Sequence, residues 1–287
     1  MREPRGQELI ERYKKNYNIP ASFEVTELMV LKHWELEKSL TKELLESSSE
    51  KRWEVFELCY SKLYSELKWL NLPADSNNRL PSFELYKNWL YLIGSPPKKI
   101  YEIGSGQGEL ISSLASYGFK CKATEITRER GQKCVSGHPN LSWGISDGVH
   151  LERFESPNSY DAVISNQVIE HLHPDDLFDH FKGVLSILSA GGGYIFATPH
   201  LYVGPSDISR VFKYEKPMGM HLKEYTYQEL KKLLEQAGFE NVCAILVVPQ
   251  RISHLLKLNF RPIASRTYFY YLCKIEQFIT LLPRHGL

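Results

Sequence analysis

The chain has 287 residues, 43% of them hydrophobic, with 35 Lys and Arg against 34 Asp and Glu. That length suits one large domain or a core with an appendage, and the apolar fraction excludes a wholly disordered chain. A formal net charge of +1 offers no electrostatic basis for a dedicated nucleic-acid binder.

The N-terminal run MREPRGQELIERYKKNY is charged where a signal peptide is apolar. Residues 1–95 read as a helical extension. Met29, Leu36, Leu40 and Leu44 mark one helix, and Trp53, Phe56, Tyr60, Leu63, Leu67 and Leu70 share one face of the next. Ser47, Ser48 and Ser49 break between them, since serine favours caps and turns. Pro73–Pro81 reads as a loop, followed by a helix over about 82–93.

From Lys98 the texture changes. Short β-rich runs at Lys98–Ile103, Phe119–Ile126, Leu141–Ile145, Tyr160–Asn166 and Gly193–Thr198 are each followed by turn residues and a helical stretch. Such βαβ alternation predicts an α/β fold with a parallel, Rossmann-like sheet and helices on both faces. Thr226–Ala237 reads as a helix closing at Gly238, before a sixth strand over Asn241–Val248. The layout is then an extension over 1–95, a core over 96–250 and a tail over 251–287.

The tail carries Arg251, Lys257, Arg261, Arg266, Lys274 and Arg284 against Glu276 alone. Tyr268, Leu272, Ile275, Ile279 and Leu282 would form the apolar face of a helix there. Either that face docks on the protein, or the basic amphipathic helix makes a peripheral contact with an anionic membrane. The helix leaves no stretch for a further strand. Val242–Val248, the longest apolar run, is far below the ~20 residues that span a bilayer. Cys59, Cys121, Cys134, Cys243 and Cys273 form no CxxC pair and fit reduced thiols. A cytoplasmic protein is expected.

The most informative stretch is Glu102-Ile103-Gly104-Ser105-Gly106-Gln107-Gly108, a strand end running into alternating glycines before a helix. Glycine permits positive φ and close approach of a ligand to the backbone. The spacing is not that of the GxGxxG dinucleotide loop. Glu102 would repel a pyrophosphate but welcome an ammonium, and Glu125 ends the next strand, where an acid grips ribose hydroxyls. A ligand with a ribose, a positive centre and no phosphate fits; S-adenosylmethionine is such a ligand.

With Asp147-Gly148 before the fourth strand, the pattern resembles the class I S-adenosylmethionine-dependent methyltransferases over about residues 98–248. The resemblance implies that Gly104, Gly106 and Gly108 cradle the methionine part, Glu125 holds the ribose and Asp147 contacts the adenine. Asn166 at the end of the fourth strand is grouped with this cofactor set. Asp147 also fits a plain Asp-Gly turn.

Gln167-Val168-Ile169-Glu170-His171-Leu172 follows. On one helical turn, Gln167, Glu170 and His171 would stand together at i, i+3 and i+4. They are either a surface group or, with His221, ligands of Mg²⁺ or Mn²⁺. The run is similar to metal-dependent O-methyltransferases of small-RNA 3′ ends and of ubiquinone biosynthesis, and to bacterial enzymes acting on sugars and polysaccharides. Gln167 departs from the acid found in the metal-dependent group, which removes a charge useful to Mg²⁺. Metal would acidify an acceptor hydroxyl; without it, His171 or His221 would serve as the base. His173, His180 and His200 read as surface or structural residues.

Asn166 is not followed by the Pro-Pro-aromatic run of amino-directed nucleic-acid methyltransferases, and no Cys sits beside a Pro at a strand end. An oxygen acceptor is favoured: a small molecule or glycan hydroxyl first, a quinone-precursor phenol or RNA 2′-OH next, and an inactive cofactor-binding subunit as the non-enzyme alternative. The long connection Pro199–His221, with Tyr202, Asp207, Ser209, Arg210, Lys213 and Tyr214, reads as an acceptor loop.

Overall fold

The apolar runs after Lys98 form the expected sheet in a computed structural model describing residues 3–71, 83–128, 137–248 and 260–281. The loop expected at Pro73–Pro81, Cys134, Leu282, and the basic residues Arg251, Lys257 and Arg284 lie outside the described residues. Strands β1 (Lys99–Ile103), β2 (Lys120–Glu125), β3 (Leu141–Ile145), β4 (Tyr160–Asn166) and β5 (Leu188–Ala197) take the order β3-β2-β1-β4-β5. The pairs β1–β2, β1–β4 and β2–β3 are parallel, with Glu102 opposite both Ala123 and Ile164. The order reverses beside β1, and in open α/β sheets ligands bind outside the carboxyl ends of strands at such a switch point.

By contact the chain divides into two compact units, each discontinuous in sequence. One comprises Met1–Ser76, Gln167–Asp176 and Ala197–Tyr225; the other comprises Asn77–Asn166, Leu177–Phe196 and Thr226–Leu287.

The second unit holds the sheet. Helix α5 (Glu109–Ser116) lays Leu110, Ile111 and Leu114 against Ile100, Ala123 and Ile164 of the strands, with α4 (Phe83–Ile93) adding Leu90 and Ile93. Helix α6 (Leu177–Ile187) precedes β5, and α7 (Tyr227–Ala237) opens on a capping box between Thr226 and Glu229 and closes on Gly238 at φ +112°.

Two expectations for this unit are corrected. The sixth strand shrinks to β6 (Ala244–Leu246) and leaves the main sheet, pairing antiparallel with β7 (Ile263–Ser265). A further strand therefore does precede the C-terminal helix, α8 (Arg266–Leu281). That helix buries Phe269, Cys273 and Glu276, whereas Ile275 of the expected docking face is 55% exposed. The face is rotated because Glu276 accepts hydrogen bonds from the backbone amides of Tyr227 (2.7 Å) and Gln228 (2.9 Å), satisfying the amino end of α7. Tyr270, Tyr271 and Phe278 of α8 remain exposed.

The first unit is built on α1 (Gly6–Asn16), α2 (Glu27–Leu45) and α3 (Arg52–Glu66). Leu9, Tyr13, Val30 and Trp34 pack with Ile208, Val211 and Phe212 of the 199–221 connection, the Trp34 and Phe212 rings stacking at 4.7 Å. The buried stripe of α2 includes His33, Glu37 and Thr41 among its apolar residues, while Met29 is only half-buried. Among the described residues no helix is long and apolar enough to cross a membrane, and Cys59, Cys121, Cys243 and Cys273 are unpaired.

Candidate active site

In the sheet unit, β1 delivers the chain into Gly104, Gly106 and Gly108, all left-handed, at φ of +65°, +58° and +76°. A Cβ at Gly106 would meet no atom within 4 Å beyond its chain neighbours, so the space beside this glycine is open. The loop is pinned by Ser105 N–H to Thr124 O (2.9 Å) and by Gly106 N–H to Glu125 Oε1 (2.6 Å). Glu125 also accepts from Ile126 N–H at 3.2 Å. Glu125, expected at the ribose, orders the glycine loop.

Glu102 is 3% exposed and its Oε2 has no hydrogen-bond partner. Burial, reinforced by the charge of Glu125, holds its carboxyl well above the usual carboxylate range. A buried acid with an orphaned oxygen is prepared to meet a cationic group. Asp147 accepts from the amides of Val149 and His150 at 2.9 Å each and pairs with His150 Nδ1 at 2.9 Å. The Asp-Gly turn reading thus describes how its loop is held. Behind that loop, buried His180 donates from Nδ1 to Gly148 O (2.5 Å) and accepts at Nε2 from Tyr194 OH (3.0 Å). Burial depresses its pKa to about 4, fixing the neutral ring in a structural role. Asn166 stands exposed at the end of β4.

The second group lies in the other unit. Gln167 has φ +58°, and only Ile169–His171 form a 3-10 turn. The helical turn expected to join Gln167 to Glu170 and His171 is therefore absent; Gln167 is exposed, its amide bonded to Ala197 O at 2.9 Å. The structure does bring Glu170, His171 and His221 together, one ligating atom of each lying within 4.8 Å of the others. The two imidazole rings meet edge-on at 4.7 Å.

Each histidine is oriented through Nδ1. That of His171 donates to Met220 O (2.9 Å), and that of His221 to Glu224 Oε1 (2.9 Å). In its neutral form each ring then carries its lone pair on Nε2, the arrangement found behind metal-ligating histidines. Glu170 is fully buried; Oε2 accepts from Thr198 Oγ1 at 3.0 Å, and Oε1 has no hydrogen-bond partner. Burial raises the Glu170 pKa. Burial pulls His221 down, but its bond to Glu224 and the charges of Glu170 and Asp207 outweigh that and raise it. The neighbourhood is negative and favours a cation.

The 199–221 connection, expected as an acceptor loop, is held largely by its own hydrogen bonds. Asp207 and Ser209 are buried, with Asp207 accepting from Ser209 N–H (2.9 Å) and Gly219 N–H (2.7 Å) and Ser209 Oγ from Met218 N–H (2.7 Å). Lys213 bonds Glu8 and Tyr214 bonds Glu3, while Tyr202 stays exposed. Sequence reasoning missed Glu224 and Thr198 as partners of the cluster. The His221-x-x-Glu224 spacing was a readable signal, whereas nothing near Thr198 pointed to Glu170.

No curated protein sequence matches the chain. Among solved structures it is similar to a methyltransferase of an antibiotic biosynthesis pathway from Anabaena variabilis (19% identity, 60% of this chain and 67% of that one, TM-score 0.46). A SAM-dependent methyltransferase from Archaeoglobus fulgidus is 20% identical over 78% of this chain and 93% of that one, with TM-score 0.44. An S-adenosylmethionine-dependent methyltransferase from Mesorhizobium loti is 15% identical over 62% and 91%, with TM-score 0.44. The model of the family described as "Methyltransferase domain" matches residues 82–244, more than half of the sequence. The chain belongs to that family, and it is a methyltransferase.

Proposed function

We propose that the protein is an S-adenosylmethionine-dependent O-methyltransferase whose acceptor is a sugar or glycan hydroxyl. The observation that carries the chemistry is the Glu170–His171–His221 cluster, which follows β4 in the chain directly after the strand end at Asn166. The glycine loop would receive the methionine part of the cofactor, Glu102 its ammonium, Glu125 the ribose hydroxyls and Asp147 the adenine. Methyl transfer is a displacement at carbon, so orientation of the acceptor oxygen supplies much of the rate.

The donor set fits a divalent cation: two imidazoles with Nε2 lone pairs and one carboxylate with an orphaned buried oxygen. Nitrogen ligands suit Mn²⁺ better than Mg²⁺. Bound there through Glu170, His171 and His221, the ion would lower the pKa of an acceptor hydroxyl. The chain's own groups have defined tasks. Glu224 and Met220 O fix the two rings, Thr198 holds Glu170, and His221 or His171 takes the acceptor proton where no ion is bound.

A phenol of a quinone precursor or an RNA 2′-OH is the alternative acceptor, and an inactive cofactor-binding subunit the alternative role. The test is methyl transfer from S-adenosylmethionine across sugars, glycan termini, phenols and RNA, with chelator and Mn²⁺ add-back. Transfer to a carbohydrate, lost on chelation, is expected. Transfer to phenols or RNA alone would replace the acceptor class, and absent binding of S-adenosylhomocysteine would overturn the whole reading.

We also propose that α8 contacts an anionic membrane surface. Tyr271, Ile275 and Phe278 are exposed beside Lys274, while Glu276, the only acid of the helix, is buried. Cosedimentation with phosphatidylglycerol vesicles but not phosphatidylcholine vesicles is expected, and equal recovery from both would refute it.

A further inference from the structure

The buried polar residues of α2 form a directed chain that ends at His171. Trp69 Nε1–H donates to Tyr13 OH (3.1 Å), which donates to His33 Nδ1 (2.8 Å). His33 Nε2–H donates to Glu37 Oε1 at 2.6 Å. The other Glu37 oxygen, Oε2, accepts the backbone N–H of Met220 at 3.1 Å. The carbonyl of Met220 then accepts from His171 Nδ1 at 2.9 Å. One proton arrangement satisfies every link, and burial holds the Tyr13 hydroxyl in its protonated, donating form.

The preceding residue is clamped as well. Gly219 N–H donates to Asp207 Oδ2 (2.7 Å), and Thr41 Oγ1 donates to Gly219 O. A Cβ on Gly219 would collide with Glu37 Oε2 and Asp207 Oδ2, so any larger residue there would displace the two carboxylates that hold this segment. Glu37, 183 residues away in sequence, thus holds the Gly219–Met220 peptide, one Cα before the Met220–His221 peptide whose carbonyl accepts from His171.

We infer that Glu37 is a positioning residue for the reaction: by anchoring the N–H side of Met220 it fixes where the Met220 carbonyl lies, and with it the Nδ1–H tautomer of His171 and the placement of His221. The N-terminal helices then serve as the outer support of the cluster. This rests on the reading that His171 and His221 act on the acceptor. Outer partners of ligating or basic histidines are worth ~10–100-fold in metal affinity or activity.

The test compares Glu37→Gln, Glu37→Leu and Glu37→Asp in the full chain, with the His171 tautomer read by ¹⁵N NMR without metal. The Gln side chain still accepts from Met220 N–H, and its amide can donate to His33, so the His171 Nδ1–H signal and kcat should stay within about threefold of wild type. In Glu37→Leu the tautomer should become mixed, Mn²⁺ affinity and kcat should fall ~10–100-fold, and KM for S-adenosylmethionine should not move. If Glu37→Leu does not fold, Glu37→Asp decides, because it keeps the charge but withdraws it from Met220. A folded Leu or Asp variant with the wild-type tautomer and kcat would overturn the inference. Absence of Mn²⁺ binding to the wild-type protein, with the tautomer change still seen in Glu37→Leu, would overturn the metal reading alone.

Discussion

The glycine loop and the Glu170–His171–His221 cluster are positioned in opposite ways. The loop is one strand, one turn and one helix start, continuous from Glu102 to Glu109, and its geometry lies in the backbone: positive φ at Gly104, Gly106 and Gly108, and amides bonded to Thr124 O and Glu125. The cluster draws on residues 37, 170–171, 198 and 219–224, and its geometry lies in side chains that hold one another. A loop of the first kind tolerates changes in its neighbours but not in its own conformation. An arrangement of the second kind is sensitive to distant partners.

Four measurements would break or sharpen that contrast. Gly106→Arg fills the open space beside the loop and adds a side chain at φ +58°, so calorimetry should find no S-adenosylhomocysteine binding and assays no turnover. Binding that persisted would show that the loop is not the cofactor site. Glu170→Gln should lower kcat by ~100–10,000-fold while S-adenosylhomocysteine affinity stays within about twofold, separating the cluster from the loop.

The third concerns stability. Folded His180 refuses a proton until about pH 4, whereas an unperturbed histidine takes one near 6.5. The unfolded chain therefore gains protons first as pH falls, and stability present above pH 6.5 is lost toward pH 4, by on the order of 3 kcal/mol. Urea unfolding at a series of pH values should show this slope, flattened in His180→Gln; an equal slope in the variant would refute it. The smallest effect is at Glu102. Its raised pKa means that an ammonium-bearing ligand displaces a proton, so S-adenosylhomocysteine should bind more tightly as pH rises, approaching ~tenfold per unit below the Glu102 pKa. Glu102→Gln should flatten that profile, and an unchanged profile would remove Glu102 from the cofactor site.

Strands β1 to β4 were legible as short β-rich runs between turn residues, and each begins and ends within about one residue of expectation. Strand β5 starts earlier than expected, at Leu188, since Gly191, Gly192 and Gly193 carry no side chain to mark a strand. The face of α8 was misjudged because an acid, Glu276, is its best-buried polar anchor, and hydropathy assigns acids to solvent. The same blindness hid Glu37 and His33 inside α2.

By itself the sequence determined the fold class, the glycine loop, and the residues Glu102 and Glu125 at the strand ends, because each follows from a local pattern of a few consecutive residues. Tertiary structure alone decided that Glu170, His171 and His221 meet while Gln167 leaves their turn, that β6 pairs with β7 outside the main sheet, and that α2 holds the Gly219–Met220 peptide. These depend on hydrogen bonds between segments far apart in the chain, where a polar side chain is buried only because its partner has already been brought to it.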